Sequence, residues 1–307
     1  MKKYIKSLLL IAVAFSLVTA CSDDKLSKDS VISKPATEKN AFDYWLDVNF
    51  LKPYNIDFHY RYDLDESNYG YVTVPADYDA SIIYAHLVKY LCIDTYDEVA
   101  GVDFTKAYFP KMFFLMGERE YDNNGDYILG TAEGGKKIML AGVNVLKKDI
   151  QTLSGKALIE RLNNYYIKTV HHEFTHIINQ TKPYPDNFRS ITADKYVADK
   201  WSSIDRVCLE YGFITDYAQK EHVEDFAELL SEYITHDQAW WETQLDKAAG
   251  KDKKGDGAKF LTAKMNIVKD YMRDSWNIDI DLLRDVVNRR TADVAAGLVD
   301  LDDISIE

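Results

Sequence analysis

Residues 156–180 constrain this chain more than any other stretch. Leu158, Leu162, Tyr165, Tyr166, Val170, Phe174, Ile177 and Ile178 recur at spacings of three, four and seven, the period of one face of an α-helix. Pro183 and Pro185 close the segment, because proline cannot continue a helix. The spacing predicts one long amphipathic helix from Lys156 to Gln180. Near its C-terminal end stands His172-Glu173-Phe174-Thr175-His176, an HExxH motif. Residues four apart on a helix share a face, one turn above each other. His172 and His176 can therefore grip one zinc ion through two imidazole nitrogens, and Glu173 beside them can take a proton from a water on that ion. Zinc brings the pKa of such a water down to about 7, where a carboxylate base completes the nucleophile. The neighbouring His171 points about 100° away round the helix, so its geometry excludes it as a ligand.

A catalytic zinc needs a third protein ligand and an open position. The metzincin extension of the motif places Gly at 179 and His or Asp at 182, whereas this chain has Asn179 and Lys182. A second helix is predicted over Glu221–Tyr233, with Val223, Phe226, Ala227, Leu230 and Tyr233 as its apolar stripe. Glu224 and Glu228 are four apart and share a face of it. Two carboxylates beside an apolar stripe repel each other unless a cation or a donor lies between them. Without the HExxH motif they would read as a solvated pair at the edge of a buried helix.

With that second helix, the chain resembles the gluzincin clan of zinc peptidases. Glu224-Asp225-Phe226-Ala227-Glu228 is similar to the E-x-F-A-E segment of the lethal-factor type, whose first Glu binds zinc. The resemblance implies that Glu224 is the third ligand and that Glu228 holds a zinc-binding histidine in the right tautomer. The same type carries a tyrosine seven residues before its ligand Glu to stabilise the oxyanion, and Tyr217 stands there, with Tyr211 as a rival. A nearer resemblance is to a family of zinc-binding metallopeptidase lipoproteins of Bacteroidota. It rests on the N-terminal lipobox, on the HEFxHxxxQ segment from His172 to Gln180 and on the EDFAE segment. The resemblance covers most of the chain and is specific at those two helices.

Lys2, Lys3 and Lys6 followed by the apolar run Leu8–Val18 read as a signal peptide, too short for a transmembrane span. Val18-Thr19-Ala20-Cys21 resembles a lipobox, with cleavage before Cys21 and lipidation of its thiol. Ser22-Asp23-Asp24 resembles the export signal that sends such lipoproteins to the outer face of the outer membrane. The expected organisation is therefore a signal peptide over residues 1–20, a polar tether over 21–40 and one metallopeptidase domain over 41–307. Removing the first twenty residues takes away three lysines and no acid, so the net charge moves from −13 to −16. An acidic surface of this size excludes nucleic acid as a partner, and contact with a membrane is expected through the lipid anchor alone. Cys92 and Cys208 remain, too few for a disulfide framework; both lie in apolar stretches read as helical, and buried free thiols are expected.

The fold class expected is α+β and zincin-like, with a small, mainly antiparallel sheet followed by a mostly helical C-terminal lobe. Strands are predicted at Phe58–Tyr62, Lys111–Gly117, Tyr127–Thr131 and Lys137–Val143, with turn signals at Asn124-Gly125 and Gly134-Gly135. In gluzincins such a sheet roofs the cleft and its edge strand pairs with an extended peptide; Ile138–Val143 is nominated for that edge. A helix is predicted at Asp79–Cys92, and further helices at about 191–211, 221–235, 258–275 and 280–291. Asp252–Gly257 and Asp122–Asp126 hint at calcium loops, but the ligand positions are wrong for an EF-hand. The expected function is a surface-tethered zinc endopeptidase acting on protein or peptide, with Glu173 as general base and Tyr217 at the oxyanion. Two alternatives stay open. One is a non-catalytic surface lipoprotein that keeps zinc for stability and binds glycan or protein, against which an intact Glu173 argues. The other is an aminopeptidase, for which no motif docks a free amino terminus.

Overall fold

A computed structural model describes residues 38–63, 74–121, 127–128, 130–133, 136–251 and 253–306. The signal segment, Cys21, the tether up to residue 37, the Asp122–Asp126 loop and the turn residues Gly134 and Gly135 lie outside the described residues. Asn40–Glu307 forms one compact unit. No helix of the described residues is long and apolar enough to cross a membrane.

The central sheet has four strands: β1 (Asp57–His59), β2 (Met112–Leu115), β3 (Gly130–Glu133) and β4 (Lys137–Leu140), in the order β1-β2-β4-β3. The β1–β2 and β2–β4 pairings are parallel, and only the outer β3–β4 pairing is antiparallel. The expectation of a mainly antiparallel sheet is thus wrong, since the three-stranded heart of the sheet is all parallel. The physical reason is the path between the strands. Helices between Tyr78 and Tyr108 lie between β1 and β2, and a helical crossover delivers the next strand in the same direction. The antiparallel pairings of Tyr121 with Tyr127 and of Glu133 with Lys137 record two reversals, and two in succession bring β4 back parallel to β2. A small antiparallel pair, Glu120–Tyr121 with Tyr127–Ile128, stands apart from this sheet. The nomination of Ile138–Val143 as an edge is also overturned: β4 is flanked by β2 and β3, and the edges are β1 and β3.

The register explains how the sheet holds. Phe58, Phe113 and Ile138 align across three strands, and Leu115 aligns with Leu140. All five are buried and join the main core. The opposite face carries a smaller buried group of Phe114, Met116, Met139 and Ala141.

Helices make up most of the other described residues. α1 (Tyr78–Leu87) starts at Asp77, whose carboxylate caps the Ala80 amide, and runs on through a π-helical turn at Val88–Ile93. α2 (Val143–Thr152) follows β4 directly. α3 (Gly155–Leu162), a π-helical turn at Asn163–Ile167 and α4 (Lys168–Thr181) are continuous. They are the long helix expected at 156–180, with one inserted residue's worth of slack just before the motif. α5 (His222–Thr235), α6 (Gln238–Ala248), α7 (Gly257–Trp276) and α8 (Ile280–Ala295) complete the chain. The periodicity missed α2, α6 and the short helices within 41–54 and 94–108.

The helix expected at about 191–211 does not form. A four-residue helix, Asn187–Ser190, gives way to turns and to single 3₁₀ turns at Ala198–Lys200 and Cys208–Tyr211. Its backbone hydrogen bonds go sideways instead of along a helix. The Val197 amide donates to the Gln219 carbonyl (2.8 Å) and that of Ala198 to Lys220 (3.1 Å). Arg206 donates to the Lys195 carbonyl (2.6 Å) and to Gln219 Oε1 (2.5 Å). Cys208 therefore sits on a 3₁₀ turn, half-buried, and Cys92 is buried; both are free thiols.

Candidate metal centre

The back of α4 is set by aromatic packing. Phe174, inside the motif, lies 4.9 Å ring to ring from both Tyr96 and Phe109 and is fully buried. His171 is buried on the same side, its Nδ1 3.2 Å from the Tyr96 hydroxyl. Burial pushes its pKa down to about 3, so it stays neutral and structural. Anchoring this face turns the opposite one, with His172, Glu173 and His176, toward α5. α5 crosses α4 and buries Phe226, Leu229 and Leu230, which brings Glu224, in its first turn, over the two histidines.

Three ligand-type atoms converge. His172 Nε2 is 3.1 Å and His176 Nε2 3.2 Å from Glu224 Oε2, and the two nitrogens are 3.0 Å apart. Among the described residues this is a cluster able to hold a metal ion. The donor set fits zinc: ligands about 2.0–2.1 Å from a tetrahedral ion sit roughly 3.3 Å from one another. Lone pairs aimed at one point also require a cation there. Burial opposes a charge on His172, but Glu224, Glu228 and Glu173 outweigh it and its pKa is pushed up to about 10. Burial likewise opposes charge on Glu224, yet His172 and His176 hold its carboxyl well below the usual range.

Behind the ligands runs a buried ionic chain. Glu228 Oε1 lies 2.9 Å from His172 Nδ1, at ion-pair distance but off the axis of an aligned hydrogen bond. Its other oxygen accepts from Thr215 Oγ1 (2.6 Å) and Lys168 Nζ (2.9 Å). Lys168 also donates to Glu232 (2.9 Å), which in turn faces His236 Nδ1 at 3.3 Å. Burial alone would raise the Glu228 pKa, but Lys168, His172 and Thr215 hold it low, so it is ionised. The sequence reading missed Lys168 and Thr215. Lys168 lies one turn before His172, a spacing that could have flagged it; Thr215 comes from an irregular segment and has no such signal.

Tyr217 lies beside the ligands, its ring 6.1 Å from that of His172 and held edge-on by Trp201 at 5.0 Å. Burial first, and then its contact with Glu224, raise its pKa far above that of a free phenol, so it remains a donor. Lys220, also missed, has Nζ 3.5 Å from the Tyr217 hydroxyl and 3.8 Å from Glu224 Oε1. Tyr211 is exposed and stacks on the Arg206 guanidinium at 4.2 Å instead. His222 is drawn away to Tyr184, whose hydroxyl is 2.6 Å from its Nδ1.

The base of α5 is fixed by one deep pair. Lys264 Nζ is 2.6 Å from Asp225 Oδ2, and both side chains are essentially inaccessible. Lys264 also donates to the Gly212 carbonyl (2.8 Å), and the Tyr196 hydroxyl donates to Asp225 (2.7 Å). Gly212 has φ +84°, and a Cβ there would meet Phe260 Cβ at 2.5 Å; only glycine takes both the left-handed backbone and the close approach. This ties the segment carrying Thr215 and Tyr217 to the residue next to Glu224.

Comparison with known proteins agrees with this geometry. Residues 34–281 match the model of a family described as "Putative zinc-binding metallo-peptidase". A crystal structure of a protein given the same description, from Bacteroides caccae, is 39% identical. It covers 90% of this chain and 100% of its own, with a TM-score of 0.70. None of the curated proteins matches. With more than half of its length matched, and the His, His and Glu side chains gathered as above, the chain belongs to this family of zinc-binding metallo-peptidases.

Proposed function

We propose that this protein is a zinc-dependent endopeptidase, with His172, His176 and Glu224 holding the metal. The observation that carries the reading is the meeting of three ligand atoms from two helices within 3.0–3.2 Å, with an acid, Glu173, on the same helical turn. When bound, zinc supplies a Lewis acid for the scissile carbonyl and makes water more acidic. Glu173, buried beside the histidines, takes the proton from the attacking water and returns it to the departing amine. The Glu228 carboxylate, 2.9 Å from His172 Nδ1, favours a proton on that nitrogen and leaves Nε2 for the metal. The Tyr217 hydroxyl, kept protonated, donates to the oxyanion of the tetrahedral intermediate. Residues 1–20 are a lipoprotein signal in this reading, and lipidated Cys21 tethers the enzyme to the outer membrane, exposed at the cell surface. Its partner is then a protein or peptide substrate.

The test starts with elemental mass spectrometry of residues 22–307 after dialysis, where about one zinc per chain is expected. Glu173→Gln should keep that zinc and lose peptide hydrolysis, while Glu224→Ala should lose tight zinc. Tight zinc in Glu224→Ala would remove it from the ligand set, and hydrolysis by Glu173→Gln at the wild-type rate would end the general-base role. Equal cleavage of peptides with blocked and free amino termini separates an endopeptidase from an aminopeptidase.

A further inference from the structure

Glu228 and Glu232 stand one turn apart on α5, and both side chains are buried. They share one cation. Lys168 Nζ, from α4, lies 2.9 Å from Glu228 Oε2 and 2.9 Å from Glu232 Oε1. Lys168 is itself one helical turn before His172, so its ammonium links the two helices that carry the candidate ligands. We infer that Lys168 is a positioning residue of the metal centre: shared between the two carboxylates, it fixes the Glu228 carboxylate in the place from which that group orients His172. The inference rests on the zinc ligation proposed above and adds a residue that acts on a ligand only through another side chain.

The two oxygens of Glu228 have different tasks. Oε2 accepts from Lys168 and from Thr215 Oγ1 (2.6 Å), while Oε1 lies 2.9 Å from His172 Nδ1. Freezing a free glutamate side chain costs rotamer entropy. Two donors on one oxygen fix the carboxylate before any metal arrives, so less ordering is left for metal binding to impose. Glu232 completes the hold. Its Oε1 meets Lys168, and its Oε2 faces His236 Nδ1 at 3.3 Å. The Lys168 side chain is 19% exposed, and without Glu232 its flexible stem could carry the ammonium out to water. The sign of the charge also matters. A cation behind the ligands repels a dication, so charge alone gives Lys168 no means of favouring zinc. Any gain in zinc affinity comes through the group it holds.

The test reads zinc affinity, by competition with a chromogenic chelator, and does not depend on turnover. It compares wild-type residues 22–307 with Lys168→Met/Glu232→Gln, with Glu228→Gln and with the triple variant that combines them. Changing Lys168 and Glu232 together removes one charge of each sign, so the local net charge is kept and two carboxylates are not left facing each other. This paired variant should bind zinc at least about ten-fold more weakly than wild type, as when a partner behind a ligand is lost. In the Glu228→Gln background the same two changes should alter affinity by less than about two-fold, because residues that act through one another are not additive. Lys168→Gln, a milder change that guards against loss of the fold in the paired variant, separates the readings by sign. Charge alone predicts tighter zinc there, and positioning predicts weaker zinc. Equal weakening with and without Glu228 would make Lys168 a mere link between helices and overturn the inference. Unchanged or tighter zinc in the Lys168 variants would overturn it while the metal centre stands. No zinc on the wild-type protein, even when supplied, refutes the metal centre and this inference with it.

Discussion

Replacing Lys264 by methionine removes a charge that has no accessible surface and leaves its partner behind. Asp225 Oδ2 would keep only the Tyr196 hydroxyl, and Asp225 Oδ1 already lacks a partner. Methionine fills much of the same volume, so the loss is electrostatic rather than a cavity. Breaking a buried ion pair by deleting one member costs about 3–5 kcal/mol. For a domain of this size that lowers Tm by about 6–20 °C, at about 2–4 °C per kcal/mol. Urea unfolding of chelator-treated protein at pH 7, followed by far-UV circular dichroism, reads the change directly. The pH dependence has a defined sign. Burial already raises the Asp225 pKa with Lys264 present, and removing Lys264 raises it further. An acid whose folded pKa lies above its unfolded one destabilises the fold above that range and ceases to do so as pH falls. The deficit of Lys264→Met should therefore shrink from pH 8 to pH 5. The double variant Lys264→Met/Asp225→Asn should recover a large part of the loss, because no buried charge remains. A deficit below about 1 kcal/mol at pH 7, or one that grows on acidification, would refute the reasoning.

Two further outcomes are expected. Glu228→Gln should fold but bind zinc about 10- to 100-fold more weakly, measured by competition with a chromogenic chelator; unchanged affinity would mean that Glu228 does not orient His172. His171, with its pKa pushed down to about 3, refuses a proton that the unfolded chain accepts near pH 6.5. Stability should thus fall as pH drops below about 6.5, by up to about 1.4 kcal/mol per unit from this group. His171→Gln should flatten that limb in a comparison of urea midpoints between pH 7 and pH 5, and parallel curves would disprove the assignment.

The two helices that matter are legible in the chain's own pattern. The apolar recurrence from Leu158 to Ile178 and from Val223 to Tyr233 has a single period, so each helix and its buried face can be read locally. Spacing of four put His172 with His176 and Glu224 with Glu228 without any tertiary knowledge. Which faces meet, and in what direction the strands run, depends on packing between distant segments. The sheet's parallel heart follows from a helical crossover and two successive reversals, and no local propensity encodes the sum of those turns. The segment 191–211 has helical composition but finds its hydrogen bonds in Gln219 and Lys220, partners distant enough that periodicity cannot register them. Thr215, Lys220 and the Asp225–Lys264 pair were invisible for the same reason: each is an ordinary polar residue until folding removes water from around it. Burial converts such residues into fixed charges and donors, and burial is a property of the packed chain.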